Sequence, residues 1–304
     1  MQMNEENQKL EFYSKHGAIT NPNDYYHILE RQPVSIEGIC ENTFSLVLND
    51  FLYHMRCFHL PDFYADDMNI RSVEKKLEKI DLRTQDQELV IENNSCSLGN
   101  CRDISLIICA SLRQKAIPSR VRSGFATFFN PIKKFDHWIC EYWNLENKCW
   151  HRIDPWMYQI NKAINKLPKE FSEGFSALNL DPLNLGSVFF LTGAEAWQRC
   201  RNNIDSFNNY GTYEEGLEGE WFVRDNMIRD LFCLNKIEPL PWDCWGIMGK
   251  QNSVINEAEY LLLDEVASAL LSDNVSLIKL NELFLRLNGD KIFDTLKNDQ
   301  VLIT

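Results

Sequence analysis

Residues 99–125 read GNCRDISLIICASLRQKAIPSRVRSGF, and the rest of the predicted fold is arranged around this stretch. Apolar residues recur in it at the three- and four-residue spacing of one helix face, namely Ile104, Ile107, Ile108 and Leu112. Cys101 stands directly before this run, so a helix is predicted to begin there. Apolar residues also occupy the other faces, which predicts a buried helix. Pro118 disfavours helical angles at Ile117, so the helix should end near residues 115–116.

Three strands are predicted after this helix. β-branched and aromatic residues alternate with others over residues 120–129, and two more strands are expected at 137–143 and 149–154, with a turn at 144–148 between them. The last two should form an antiparallel hairpin. The register that pairs Tyr142 with Cys149 also places His137 directly opposite Asp154, where the carboxylate can accept a hydrogen bond from the imidazole.

The residue types in this stretch are those of an activated nucleophile. Backbone N–H groups and the positive end of the helix dipole stabilise a thiolate at a helix start, and the Cys101 N–H can help to bind an oxyanion. The order cysteine, histidine, carboxylate points to Cys101, His137 and Asp154. Each has a common structural explanation when taken alone, because buried cysteines pack as small apolar residues and Asp-Pro often marks a turn. The occurrence of all three residues in this order is what predicts a nucleophilic cysteine.

These residues resemble the transglutaminase-like superfamily of papain-fold cysteine enzymes. The likeness spans about residues 91–160 and rests on motifs that occur in the family's order: Gly99-x-Cys101, Leu112-Arg113 through Ile117-Pro118 and Arg120, Asp136-His137-Trp138, Trp150, and Asp154-Pro155. It implies that Cys101 is the nucleophile, His137 the base and Asp154 the residue that orients the base. Trp138, next to His137 in the sequence, is a candidate substrate-binding residue. Cys101 is followed by Arg102-Asp103, as in bacterial members, rather than by tryptophan. The second oxyanion donor is therefore unidentified.

The expected fold class is α+β, with a papain-like, transglutaminase-like core in which a buried helix packs on a small antiparallel sheet. Mostly helical additions are expected at both ends. The predicted regions are a helical one at 1–90, the catalytic core at 91–160 and a mostly helical one at 161–304, which can belong to one compact domain. Expected elements outside the core are a helix at 36–58, a helix at 72–79 with a solvated charged face, an irregular segment at 156–191, a helix at 192–204 with a Thr192–Glu195 capping box, an acidic glycine-rich segment at 210–220, and helices at 221–236, 257–271 and 276–287.

Composition excludes several classes of protein. The formal net charge of −13 argues against nucleic acid as a partner. The polar N-terminus does not read as a secretory signal and no stretch approaches 18 apolar residues, so a cytoplasmic protein without a membrane partner is expected. Ten cysteines are too few for a disulfide scaffold and are expected to be reduced, and no Cys-x-x-Cys pair favours zinc. We expect no metal and no cofactor.

The expected function is cysteine-dependent acyl chemistry on an amide or ester through an acyl-enzyme. Water as acceptor would make an amidase, peptidase or deamidase, an amine would make a transferase, and the residues do not decide between them. The alternative is a non-catalytic binding protein on a transglutaminase-like scaffold. The partner would be a peptide, a protein or a small amide or amine, neutral or cationic, because the acidic surface and the 210–220 segment steer cations unless the charge serves only solubility. The oligomeric state is left open.

Overall fold

A computed structural model of the chain describes residues 5–58, 62–86 and 95–289. The start of the predicted core, residues 91–94, and the end of the C-terminal region lie outside these ranges. The protein is a mixture of helices and a small, mostly antiparallel sheet. Within the described ranges, no helix combines the length and the apolar character that crossing a bilayer would require.

We number the helices in chain order over the described residues. Their bounds are α1 Glu5–Ser14, α2 Tyr26–Glu30, α3 Ile36–Leu46, α4 Asp50–His54, α5 Val73–Thr84, α6 Cys101–Gln114, α7 Pro155–Lys162, α8 Lys169–Ala177, α9 Gly193–Arg201, α10 Glu220–Leu234, α11 Glu257–Leu270 and α12 Leu277–Arg286. Short 3-10 turns lie between several of these helices, the longest at Asp62–Asn69.

The strands form two sheets. Their bounds are β1 Val47–Asn49, β2 Ser97–Gly99, β3 Ser119–Ala126, β4 Lys134–Asn144, β5 Cys149–Ile153, β6 Phe190–Thr192 and β7 Tyr210–Gly211. β1 and β2 pair in parallel as a separate two-stranded sheet. The five-stranded sheet has the order β5-β4-β3-β6, and β7 pairs in parallel with the start of β4. The predicted hairpin is confirmed, because β4 and β5 are antiparallel neighbours.

The predicted helix at Cys101 is also confirmed. α6 begins at Cys101 and ends at Gln114, and all its residues from Arg102 to Arg113 are buried. The chain then leaves the helix through Ala116, which has a positive φ of 56°. The helices α2, α3, α5 and α7 pack around α6. The apolar character of every face of α6 is therefore explained by neighbours on several sides.

The continuous helix predicted at 36–58 is wrong. α3 ends at Leu46, and Val47–Asn49 form β1 beside Ser97–Gly99 before α4 begins. Val47 takes extended angles, φ −132° and ψ 113°, and its side chain is fully buried. Pairing with a strand distant in sequence thus overrides the local helical spacing.

The prediction of an irregular segment at 156–191 is only partly confirmed, because the segment contains two helices and a short strand. α7 and α8 occupy 155–162 and 169–177, and β6 follows at its end. Pro155 is the first residue of α7 and Pro168 immediately precedes α8, where a missing N–H costs no intrahelical hydrogen bond. Pro168, which was expected to interrupt the segment, therefore precedes a helix start, whereas Pro182 lies in a turn as expected.

The helical predictions for the C-terminal part are confirmed. α9 has the capping box read from the sequence, because the Thr192 hydroxyl accepts from the Glu195 N–H at 3.2 Å and the Glu195 carboxylate accepts from the Thr192 N–H at 2.6 Å. α10, α11 and α12 begin and end within one or two residues of the predicted bounds.

The chain divides into two compact units that alternate along the sequence. The cysteine unit contains Leu10–Arg120 and Ile139–Gly186, and the histidine unit contains 5–9, 121–138 and 187–289 of the described residues. The boundary falls inside α1, β3 and β4, so these elements contribute to both units. In the histidine unit, α10 packs against α9, α11 and α12.

Candidate functional site

Cys101 is the first residue of α6 and is partly exposed. Asn100 precedes it as N-cap, and its side-chain oxygen accepts from the Asp103 N–H at 3.2 Å. The Asp103 carboxylate accepts in return from the Asn100 N–H, also at 3.2 Å. This reciprocal capping box fixes the backbone on both sides of Cys101. The thiol therefore projects from a rigid helix start.

Asp103 also belongs to a buried ionic cluster, which we define as Asp67, Lys76, Arg83, Arg102 and Asp103. Arg102 lies 2.9 Å from one Asp103 oxygen and Lys76 lies 3.5 Å from the other. Lys76 also donates to the carbonyls of Asp67 and Leu98, the latter in β2. Burial lowers the pKa of Lys76, while the Asp103 and Asp67 carboxylates oppose that change. The cluster ties α5 and β2 to the first turn of α6.

The prediction of a solvated charged face on the helix at 72–79 is therefore wrong for Lys76. It is also wrong to read α5 as ending at 79, because the helix continues to Thr84 and its last turn carries Arg83 into the same cluster. Local charge spacing cannot distinguish a solvated lysine from a buried one. The burial of Lys76 and Arg83 is explained by the Asp103 and Asp67 carboxylates, which folding brings next to α5.

Asp154 lies immediately after β5 and acts as the N-cap of α7. Its carboxylate accepts from the Met157 N–H at 3.0 Å, and its own N–H donates to the Pro182 carbonyl at 2.8 Å. The side chain is fully buried. Cys101 and Asp154 thus belong to the same unit, at the starts of two helices, α6 and α7, that contact each other.

The register predicted for the hairpin is wrong by two residues. Asn144, rather than Tyr142, pairs with Cys149, and the last paired positions are Cys140 and Ile153. If this register were continued by one step, Asp154 would stand opposite Ile139, not His137. The physical reason is the turn, where the Asn144 side chain accepts from the N–H groups of Glu146 and Asn147 at 2.9 and 3.0 Å. Asn144 therefore pairs with Cys149 in the sheet while its side chain stabilises the short turn that follows.

His137 lies in β4, within the histidine unit, and only 3% of its surface is exposed. Three phenylalanine rings surround the imidazole, with ring centroids 6.2 Å away for Phe128 and Phe129 and 6.4 Å away for Phe190. Apolar rings at these positions limit the access of water to the imidazole. Trp138, the next residue, is fully buried.

Asp136 precedes His137 and was not singled out as a titrating group by the sequence. The Asn226 side chain in α10 donates to its carboxylate at 2.8 Å and to the Gly124 carbonyl at 3.1 Å. Burial raises the pKa of Asp136 to about 6, although Arg229, His137 and Asn226 act in the opposite direction. The histidine unit therefore holds a carboxyl group that titrates just below neutrality beside the candidate base.

We expect Asp136→Asn to change the pH dependence of stability. The folded state holds the Asp136 proton more tightly than the unfolded chain, so this stabilisation is complete below 3.8 and is lost as the pH rises through about 6. Asparagine cannot ionise, and its oxygen can still accept from Asn226. Urea unfolding at pH 4 and pH 7 should show the variant gaining stability relative to wild type at the higher pH. An identical difference at the two pH values would contradict the expectation.

Six of the ten thiols are buried, whereas Cys101 is part-exposed; the buried ones are Cys40, Cys96, Cys109, Cys140, Cys200 and Cys233. Desolvation raises the pKa of the thiols of Cys40, Cys57, Cys96, Cys140, Cys200 and Cys244. Cys149 is exposed at the start of β5. In the described part of the chain, no group of three or more His, Cys, Asp or Glu side chains is placed to hold a metal ion.

Comparison of the chain with protein families, with characterised proteins and with solved structures gives no significant match.

Proposed function

We propose that the protein is a cysteine enzyme of acyl chemistry with a transglutaminase-like, papain-type core. The observation that carries the proposal is the position of Cys101, a part-exposed thiol at the first residue of a buried 14-residue helix. A helix start favours the thiolate over the thiol. The capping box and the ionic cluster hold that start in place, as a reacting nucleophile requires. The sequence order Cys101, His137, Asp154 and the motif resemblance add to this support.

In the proposed reaction, the His137 imidazole takes the Cys101 proton and the thiolate attacks the carbonyl carbon of an amide or ester. A carbon–sulfur bond forms, and the amine or alcohol leaves with the proton returned from the imidazolium. Water or an amine then releases the acyl group. Asp154 is assigned the role of fixing the imidazole tautomer. The Cys101 N–H, at the helix start, is assigned as one oxyanion donor.

Selective alkylation tests the proposal. We expect iodoacetamide at pH 6.5 to modify Cys101 faster than Cys149, even though Cys149 is the more exposed thiol. His137→Ala should slow the labelling of Cys101 and leave the rate at Cys149 unchanged, so Cys149 serves as an internal control. Peptide mapping by mass spectrometry measures both rates in one sample. Labelling of Cys149 first, with Cys101 unaffected by the His137 variant, would favour the binding protein on an inactive scaffold.

A further inference from the structure

The rings beside His137 continue outwards into a larger group in the histidine unit. Side chains two apart on a strand share a face, so Phe135 and His137 lie on the same face of β4. The Phe135 ring stacks on Tyr213 with centroids 4.4 Å apart and an interplanar angle of 14°. Phe129 contacts both rings edge-on, at 6.1 and 6.2 Å. Phe189 contacts Phe128 edge-on, with ring centroids 6.4 Å apart. We define the aromatic wall as Phe128, Phe129, Phe135, Phe189 and Tyr213.

The aromatic wall is incompletely buried. Tyr213 is 71% exposed, and the four phenylalanines of the wall are part-exposed. Two more apolar residues nearby in the sequence are also exposed. They are Val188, which precedes Phe189, and Ile132, which lies three residues after Phe129. Clustered exposed apolar surface is uncommon unless a ligand or partner covers it. The wall is therefore a candidate binding surface that begins at the proposed base.

A hairpin loop brings negative charge to this wall. Gly211 and Glu218 form an antiparallel bridge, and the Thr212 N–H donates to the Leu217 carbonyl at 2.9 Å. A side chain at Gly211 would collide with the Leu217 carbonyl, so the close approach requires glycine. The hairpin therefore projects Tyr213 together with the two residues that follow it.

Those two residues are Glu214 and Glu215, and both are exposed. Glu218 is compensated by Lys133 at 3.0 Å. Neither Glu214 nor Glu215 is paired with any Lys, Arg or His of residues 5–58, 62–86 and 95–289. Two uncompensated carboxylates thus follow an exposed aromatic residue directly in the sequence of the hairpin loop. Aromatic faces and carboxylates both attract cations, so the charge of this surface is complementary to a positively charged group.

We propose that the aromatic wall, with Glu214 and Glu215, is a subsite for a cationic group of the substrate, such as an alkylammonium or guanidinium. The cation is bound for recognition and is not the reacting group. This inference rests on the proposed function in one respect only, because it takes His137 to mark the reacting centre. Steering by the overall charge of −13 acts in the same direction.

Binding of choline to the Cys101→Ala protein tests the subsite without any turnover. The matched neutral probe is 3,3-dimethylbutanol, which has the same shape and no charge. We expect calorimetry at low salt to show choline binding about tenfold more tightly than the alcohol, because cation–π contacts and carboxylates act only on the charged probe. Added salt should reduce this preference, since exposed charges are screened.

Variants locate the binding. Tyr213→Leu and the double variant Glu214→Gln with Glu215→Gln should each remove most of the preference for choline, whereas Tyr213→Phe should retain it. Asp273→Asn, at an exposed carboxylate outside the hairpin, is the control and should bind as the parent does. Equal affinity for the two probes would overturn the cationic subsite in favour of an apolar one, and no binding of choline would overturn it outright. Neither result depends on the reactivity of Cys101, which alkylation measures separately.

Discussion

Incubation of the wild-type protein with cell extract is expected to add the mass of an acyl group to Cys101, and Cys101→Ala should abolish this addition completely. The physical reason is that, in the proposed reaction, the thiolate itself forms the bond to the acyl carbon, so no neighbouring group can replace it. Intact-mass measurement followed by peptide mapping identifies the modified residue. The acyl mass also identifies the substrate class.

Two further variants assign the other roles. His137→Ala should reduce acylation as severely as loss of the thiol, because no base remains to take the proton. Asp154→Asn should leave a small residual rate, about 10³- to 10⁴-fold below wild type, since the imidazole is then held in the wrong tautomer. Asparagine caps helices as well as aspartate does, so the bond to the Met157 N–H and the fold should survive. Wild-type acylation in Cys101→Ala would disprove the assignment of the nucleophile.

Asp67→Asn is expected to lower the free energy of unfolding by about 3–5 kcal/mol, because it breaks a buried ion pair. The Asp67 carboxylate accepts from two Arg83 N–H groups, from the Ser97 hydroxyl at 3.0 Å and from the Leu98 N–H at 3.1 Å. An amide supplies one oxygen fewer and sets its NH2 group against these donors. Arg83 would then remain buried without the charge of Asp67.

Urea unfolding measures this loss, and Asp66→Asn is the matched control. Asp66 is the neighbouring residue and is exposed, so its substitution should change stability by no more than about 0.5 kcal/mol. The double variant Asp67→Leu with Arg83→Met should be less destabilised than Asp67→Asn, because it removes both charges together. Equal losses at Asp66 and Asp67 would show that the pair contributes nothing specific.

Sequence patterns correctly predicted the elements that are determined by interactions between residues close together in the sequence. The start of α6 follows from Asn100 and the apolar run after Cys101, and the start of α9 follows from Thr192 and Glu195. Proline and glycine at 118 and 99 bound the first of these helices in the sequence itself. For such elements, hydrogen bonds within three or four residues determine the structure.

The features that the sequence did not predict depend on residues that are distant in the sequence. β1 exists because Ser97–Gly99 pair with it, and nothing near Val47 reveals that partner. Lys76 and Arg83 are buried because Asp67 and Asp103 neutralise them, and the spacing of charges along α5 is compatible with either a buried or an exposed face. The raised pKa of Asp136 likewise depends on burial in the folded histidine unit.

The local position of Cys101 was predictable from the sequence, whereas the arrangement of the candidate residues relative to one another was not. Cys101 stands at the helix start as expected, and Asp154 directly follows the hairpin, but as a helix N-cap rather than within a strand. The direct pairing of His137 with Asp154 was wrong because Asn144 serves in the ladder and in the turn at once. The roles of the three residues remain predictions for the acylation experiments.

The parallel pairing of β1 with β2 has a consequence for how the nascent chain folds. Val47 pairs with Ser97, so the contact closes a loop of about fifty residues, and the entropy lost in closing it must be offset before the strands are stabilised. At ribosomal rates of about 5–20 residues per second, β2 emerges roughly 3–10 s after β1. During that interval Val47 and Leu48, both buried in the finished protein, present an unpaired strand that is prone to aggregation. The strand pair that precedes the proposed nucleophile, Cys101, therefore forms late, because its two strands lie far apart in the sequence.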